Sequence, residues 1–266
     1  MNWSTYLKIW LIVTVACSSA FASKGTLAKE QWIDLTHTLS ADSVFWPTAE
    51  PFQLLTDAEG ITDAGYYYSA YSFTAAEHGG THIDAPIHFA EGRMRVDEIP
   101  LQTLIGDAVV IDVSQQCQHD RDYQVSIEDF QSWETDNGRL PDATIVLIRT
   151  GYDRYWPNPA RYLGTAERGE AGVAALHFPG LHPDAARWLV EQRSIKSIGI
   201  DTASIDYGQS KVFASHVTLM TADIPAFENV ANLDELPARG AFVVALPAKI
   251  KGGSGGPLRI VARLPD

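Results

Sequence analysis

Apolar positions in this chain fall in short, separated runs rather than in long stripes. Trp32–Leu35, Ala108–Val113, Thr144–Ile148, Ser197–Ile200, Phe242–Leu246 and Leu258–Ala262 each hold a handful of mostly apolar residues, rich in Val and Ile. Runs of that length and make-up predict buried strands. Tyr66–Phe73 alternates less cleanly but is rich in aromatics, and predicts a further strand. Helices are fewer. Ser126–Trp133 opens on a serine N-cap with acids in its first turn, and Pro183–Gln192 opens on proline and aspartate. Strands outnumber helices and the order is mixed, which predicts an α/β domain, strand-rich, with partly antiparallel sheets. No repeat, heptad or low-complexity tract marks a boundary inside it.

The first 22 residues read as something other than fold. Lys8 is the only charge before Lys24, Ile9–Ala16 is apolar, and Ala20-Phe21-Ala22 puts small residues where a signal peptidase reads. This predicts a secretory signal over residues 1–22, cut after Ala22, and a single domain over 23–266, exported to a periplasm or secreted. The apolar run is short for a bilayer span, so no stable membrane insertion is expected. A lipoprotein anchored through Cys17 is the weaker reading, because Thr14 sits where an aliphatic residue is usual.

Removing 22 of the 266 residues leaves 244, enough for one domain with a large core. The net charge of −13 becomes −14 with the loss of Lys8, which disfavours nucleic acid and anionic membranes as partners. Cys117 is then the single remaining cysteine, so no intramolecular disulfide can staple the exported domain.

Candidate chemistry concentrates between His78 and His88, His-Gly-Gly-Thr-His-Ile-Asp-Ala-Pro-Ile-His. Three histidines and an aspartate in eleven residues are the ligand types of zinc and of manganese-like ions. Gly79-Gly80 and Pro86 argue against a helix. The expectation is a glycine turn that swings His78 beside His82, then an extended segment. In that segment His82, Asp84 and His88 would share one side by alternation. The bland alternative is a polar loop with hydrogen-bonded histidines. Glu77 reads as a solvated or supporting carboxylate, and His37, His119, His177 and His182 as loop or cap residues. Gly252–Gly256 formally contains Gly-x-Ser-x-Gly around Ser254, but Pro257 follows and no histidine comes later, so the serine-nucleophile reading fails.

The stretch HGGTHIDAPIHF resembles the signature of the cyclase family of metal-dependent hydrolases, which includes bacterial kynurenine formamidases and isatin hydrolases. Similar blocks follow the family elsewhere: IDLTHTLS, VLIRTGYDRYW, PGLHPDAARWL, IGIDTASID, SHVTLMTADIPAFENV and GGSGGPLRIVA. The resemblance runs from about Trp32 to the C-terminus and implies a swivelling β/β/α-type domain, assembled as a homodimer or higher oligomer. It implies that His78, His82 and Asp84 hold one divalent ion, zinc or manganese. His216 and Glu228 would hold a second, with Asp84 bridging. His88 would be an unligated proton-moving histidine; a third ligand or a hydrogen-bonding brace is the competing role. Phe45 and Trp46 would line the substrate site, although Thr48-Ala49 replaces the Gly-Asp that many members carry after the proline. The implied reaction is hydrolysis of a small aromatic amide, such as isatin or N-formylkynurenine, by metal-activated water, with His88 protonating the departing nitrogen. Two rivals remain: a cyclase or dehydratase working through an enolate, and a non-catalytic protein with a structural metal.

Overall fold

A computed structural model describes residues 31–265; the expected signal segment lies outside them. The main sheet has eight strands. Seven of them close on themselves. Gly255–Arg263 pairs with Arg239–Pro247, and the order continues through Ile105–Asp112, Ile145–Arg149, Ser197–Ile200 and Ala226–Glu228 to His82–Asp84. The last of these pairs back onto Gly255–Pro257, and Trp32–Asp34 adds an outer strand alongside Val261–Arg263. The centre of the ring is parallel, Ile105–Asp112 with Ile145–Arg149 and that strand with Ser197–Ile200, while its remainder is antiparallel except for Ala226–Glu228 against Ser197–Ile200. The mixed, strand-rich α/β class expected from the pattern is what is observed.

The contiguous apolar runs of the central parallel strands are explained by burial on both faces. One cluster, with Ile83, Val110, Leu147, Phe227, Val243 and Ile260, draws on strands round the ring and fills it. The alternate residues Val109, Ile111, Val146 and Ile148 belong to a second cluster with Phe130, Trp133 and Leu189 of the covering helices. Gly199 is required between the two, since a Cβ there would sit 2.8 Å from Leu147 Cδ2. The predicted helix after Ser126 forms over Ile127–Asn137. Ser126 accepts from the Asp129 amide while the Asp129 carboxylate accepts from the Ser126 amide, a capping box. Pro183–Trp188 begins as expected, with the His182 ring accepting from the Asp184 amide, and runs into a wider turn over Leu189–Arg193.

Three features depart from the sequence reading. Ala214–Thr221 is a helix that ends before Pro225, and it carries His216. Gln53–Ile61, for which no strand was expected, pairs with Tyr67–Thr74 in a separate two-stranded hairpin. Extended structure after Gly80 lasts only over His82–Asp84, and Pro86–His88 is a single 3-10 turn. His88 is therefore brought round by a turn rather than by strand alternation. Pro86 sets the helical φ that starts that turn, and the His88 amide closes it on the Ala85 carbonyl at 2.8 Å.

Candidate metal centre

The strand His82–Asp84 is central to the site because it is paired on both edges. On one side His82 stands opposite Glu228 and Asp84 opposite Ala226. On the other, Asp84 stands opposite Gly255 and His82 opposite Pro257. Directly opposed residues share a sheet face, so this register alone puts Glu228 beside His82. Ile83 and Phe227, one position over, point into the filled ring. The acids and imidazoles therefore face outward, under the helix Ala214–Thr221.

Asp84 sits at the middle of the cluster. Its Oδ1 lies 2.6 Å from His78 Nδ1 and 3.2 Å from His82 Nε2; its Oδ2 lies 3.2 Å from His216 Nε2. Glu228 Oε1 is 3.0 Å from His216 Nε2 and Oε2 is 3.5 Å from His82 Nε2. His78, His82 and Asp84 form one group of potential ligands, and Asp84, His216 and Glu228 a second, each with its ligand atoms within 4.8 Å of one another. The histidine-aspartate stretch and the downstream histidine-glutamate pair thus come together, with Asp84 common to both.

The outer nitrogens show how two of the rings are held. His82 Nδ1 is 2.9 Å from the Gly80 carbonyl, which can only accept, so Nδ1 carries the proton. His216 Nδ1 is 2.6 Å from Asp206 Oδ2, a carboxylate that also accepts from the amides of Ser215 and His216. Each ring therefore turns Nε2 toward Asp84 and Glu228, where nitrogen and carboxylate oxygen repel unless a second proton or a cation lies between them. Burial by itself lowers the pKa of both imidazoles, but hydrogen bonds and charge from the surrounding carboxylates outweigh it and raise them. Asp84 is held well below the usual carboxylate range; burial opposes this, and the charge of His78 with hydrogen bonds from three histidines prevails. Burial, then the charge of Asp84, pushes Glu228 up. The potential that favours a proton among these groups equally favours a divalent ion, and the nitrogen-oxygen donor set suits zinc or manganese. The residues present fit such an ion.

His88 stands slightly apart. Its ring stacks on His78 at 3.8 Å, and its Nε2 is 4.0 Å from Asp84 Oδ2. Burial pushes its pKa down to about 4, so it is neutral at physiological pH. Phe45 and Trp46 lie on the wall of a cavity of about 280 Å³ whose floor is the histidine-acid cluster, with Phe89 and Phe213 also on its lining. Gly79 is needed there, because a Cβ would lie 2.0 Å from Phe45 Cδ1. Arg168 bonds the carbonyls of Trp46 and Ala49 and so fixes that wall. Tyr66, Tyr67, Tyr68 and Tyr71 do not reach the cavity; they are exposed on the hairpin. Sequence reasoning missed Asp206 and Arg168. Asp206 sits in the IGIDTASID block with no spacing signal tying it to His216.

A family model described as "Putative cyclase" matches residues 33–207. The isatin hydrolase of Roseibium aggregatum is 31% identical over 209 residues, 76% of this chain and 77% of that protein. The kynurenine formamidase of Bacillus mycoides is 30% identical over 237 residues, 88% of this chain and 97% of that one. Among solved structures, isatin hydrolase A from Labrenzia aggregata bound to benzyl benzoate superposes with a TM-score of 0.80 at 33% identity, covering 89% of this chain and 94% of that one. The chain belongs to the cyclase family.

Proposed function

We propose that this protein is a metal-dependent hydrolase that opens the amide of a flat aromatic or cyclic amide. The observation that carries the reading is an aromatic-walled cavity with five convergent ligand groups on its floor. His78, His82 and Asp84 would hold one zinc or manganese ion, and His216 and Glu228 a second, with Asp84 shared. When bound, such an ion supplies the Lewis acidity that makes water a nucleophile at neutral pH and polarises the carbonyl. The relatives named as isatin hydrolase and kynurenine formamidase support amide hydrolysis over enolate chemistry or a structural metal.

His88 is the proton carrier in this reading. Neutral at physiological pH and 30% exposed at its side chain, it can accept a proton from the attacking water and pass it to the departing nitrogen. Phe45 and Trp46 hold the ring of the substrate, and the small apolar Val44, Ala49, Ala76 and Ala203 keep bulk water from the reacting carbonyl.

The lining also bears on substrate. Among the described residues, no lysine or arginine lines the cavity. Arg93 spends its charge on Asp223, and Arg95 bonds the Gly252 carbonyl. A substrate with an amino-acid tail therefore finds no counter-charge for its carboxylate, whereas a neutral bicyclic amide needs none. Isatin-like amides are accordingly the preferred class. The test is kcat/KM of the metal-loaded protein, expected to be higher for isatin than for N-formylkynurenine. A tenfold preference for formylkynurenine, or turnover of neither, overturns the reading. Product formed without oxygen from labelled water would assign enolate chemistry instead.

Two further parts of the reading concern assembly and address. The register of the hairpin puts Leu54, Ile61, Tyr67, Tyr71 and Phe73 on one face, all exposed. A two-stranded hairpin is marginal alone. Exchanged between two copies, such faces cover area on the order of the 1,200–2,000 Å² typical of stable interfaces, which supports a homodimer. The residue 1–22 segment supports export, with Ser23 as the mature N-terminus. No described helix is long and apolar enough to cross a membrane.

A further inference from the structure

The glycine-rich loop that mimics a nucleophile elbow packs directly against the cluster. Ser254 Oγ is 3.0 Å from His78 Nε2 and donates its one proton to Glu77 Oε2 at 2.7 Å. The Ser254 amide donates to the same carboxylate oxygen at 3.0 Å. With its proton committed to Glu77, the hydroxyl can only accept from His78, so His78 Nε2 carries the hydrogen. His78 Nδ1 is then the nitrogen left for Asp84 Oδ1 at 2.6 Å, a contact that either a proton or an ion can bridge.

The glycines around Ser254 are explained by the same contact. A Cβ on Gly255 would lie 2.6 Å from His78 Cε1 and 2.4 Å from the Ile83 carbonyl. A Cβ on Gly253 would lie 2.7 Å from Glu77 Oε1 and crowd Val96. Backbone bonds tie the loop down on both sides: the Ala85 amide to the Ser254 carbonyl at 2.9 Å, and the Val96 amide to the Gly253 carbonyl at 3.1 Å. The loop is thus built to bring one hydroxyl against one imidazole.

We infer that Glu77 and Ser254 form a positioning pair that locks His78 in its Nε2–H tautomer and presents Nδ1 to the ion shared with His82 and Asp84. The inference rests on the proposed role of His78 as a ligand. It assigns the serine of the Gly-x-Ser-x-Gly sequence to orientation and not to nucleophilic attack. His78 has particular need of such a lock. Its side chain is 23% exposed, against 3% for His82 and 2% for His216. Those two rings are pinned by a buried carbonyl and a buried carboxylate, whereas the outer nitrogen of His78 meets, among the described residues, the hydroxyl of Ser254. Outer partners of this kind commonly contribute 10–100-fold to metal affinity, by a rough general measure.

The experiment compares wild type, Ser254→Ala and Glu77→Gln with the double variant. Zinc affinity is read by chelator competition, and histidine tautomers by long-range proton–nitrogen NMR of the zinc-loaded protein. Wild type should show His78 with a protonated Nε2 and a coordinated Nδ1. Ser254→Ala should weaken zinc at one site by about 10–100-fold, lose the single-tautomer signal of His78, and keep the melting temperature of the metal-free protein. Glu77→Gln, which keeps an acceptor for Ser254, should weaken zinc less, and the double variant should be no worse than Ser254→Ala alone. Unchanged affinity and an unchanged His78 tautomer in Ser254→Ala overturn the lock while leaving His78 a ligand. A loss confined to folding, with the tautomer intact in the folded fraction, also overturns it. Wild type that binds no zinc, or binds it with His78 uncoordinated, overturns the ligand reading itself.

Discussion

Two regions of this molecule invert the usual rule of polar outside and apolar inside, in opposite directions. In the first, His82, Asp84, His216 and Glu228 are each at most 3% exposed. In the second, Ile61, Tyr67 and Phe73 of the hairpin are 71%, 59% and 65% exposed. The buried cluster satisfies its polar atoms through fixed partners: Gly80 for His82, Asp206 for His216, and the Ile205 amide for Glu228 at 2.7 Å. The hairpin has almost no such support, since its side-chain hydrogen bonds are surface ones such as Ser72 to Asp57. A buried charged group costs several kcal/mol, roughly, unless something compensates it, while an exposed aromatic costs little and merely leaves area uncovered. The difference teaches that the two inversions differ in stringency. The cluster fits a cation only in a defined geometry. The hairpin accepts any complementary apolar surface, and a second copy is the partner proposed.

The largest expected effect strikes the cluster. His82→Ala removes a nitrogen from the face shared with Glu228 and Asp84, and should abolish bound metal and activity together; His216→Ala should remove at most one ion. Metal analysis of the purified variants measures this, and activity that survives chelators in wild type would break the comparison at its stronger end. Next comes His88, which touches the cluster without being wired into it. His88→Ala should leave metal content at the wild-type value while kcat falls by about 10²–10⁴-fold. Loss of metal would make His88 a ligand and leave the proton transfer to nitrogen without a carrier. The smallest effect on catalysis belongs to the hairpin. Phe73→Asp with Leu54→Asp places two charges on its apolar face and should weaken the dimer by about 30-fold or more, as loss of an interface anchor does. Metal content should not change, because neither residue is near the cluster. Light scattering that finds wild type monomeric would show that the exposed face serves another surface.

What was legible along the chain is what local pattern encodes. Strands at Ser197–Ile200 and Ile145–Ile148 were evident because burial on both faces demands contiguous apolar residues. His78, His82 and Asp84 were evident as a group because a glycine turn and a three-residue strand bring them together within seven positions. The pairing of His216 and Glu228 with that group came only from family resemblance, since nothing in their own neighbourhood signals it. Tertiary structure brings them in through the His82–Glu228 register and through the helix Ala214–Thr221, which carries His216.

The sequence by itself determined most strands of the main sheet, which local residues can bind an ion, and that Ser254 has no triad to serve. Only the tertiary structure decided the partners of the outer nitrogens: Gly80 for His82, Asp206 for His216, Ser254 and Glu77 for His78. It also decided that His88 arrives by a turn and that Tyr66, Tyr67, Tyr68 and Tyr71 stand outside the core. The physical reason is one of range. Propensity and periodicity act over a few residues, so their consequences are written where they act. Closure of the ring sets Gly255 against Asp84 and Glu228 against His82 through hydrogen bonds between segments far apart in sequence, and a short motif carries no record of what such closure will bring to its other side.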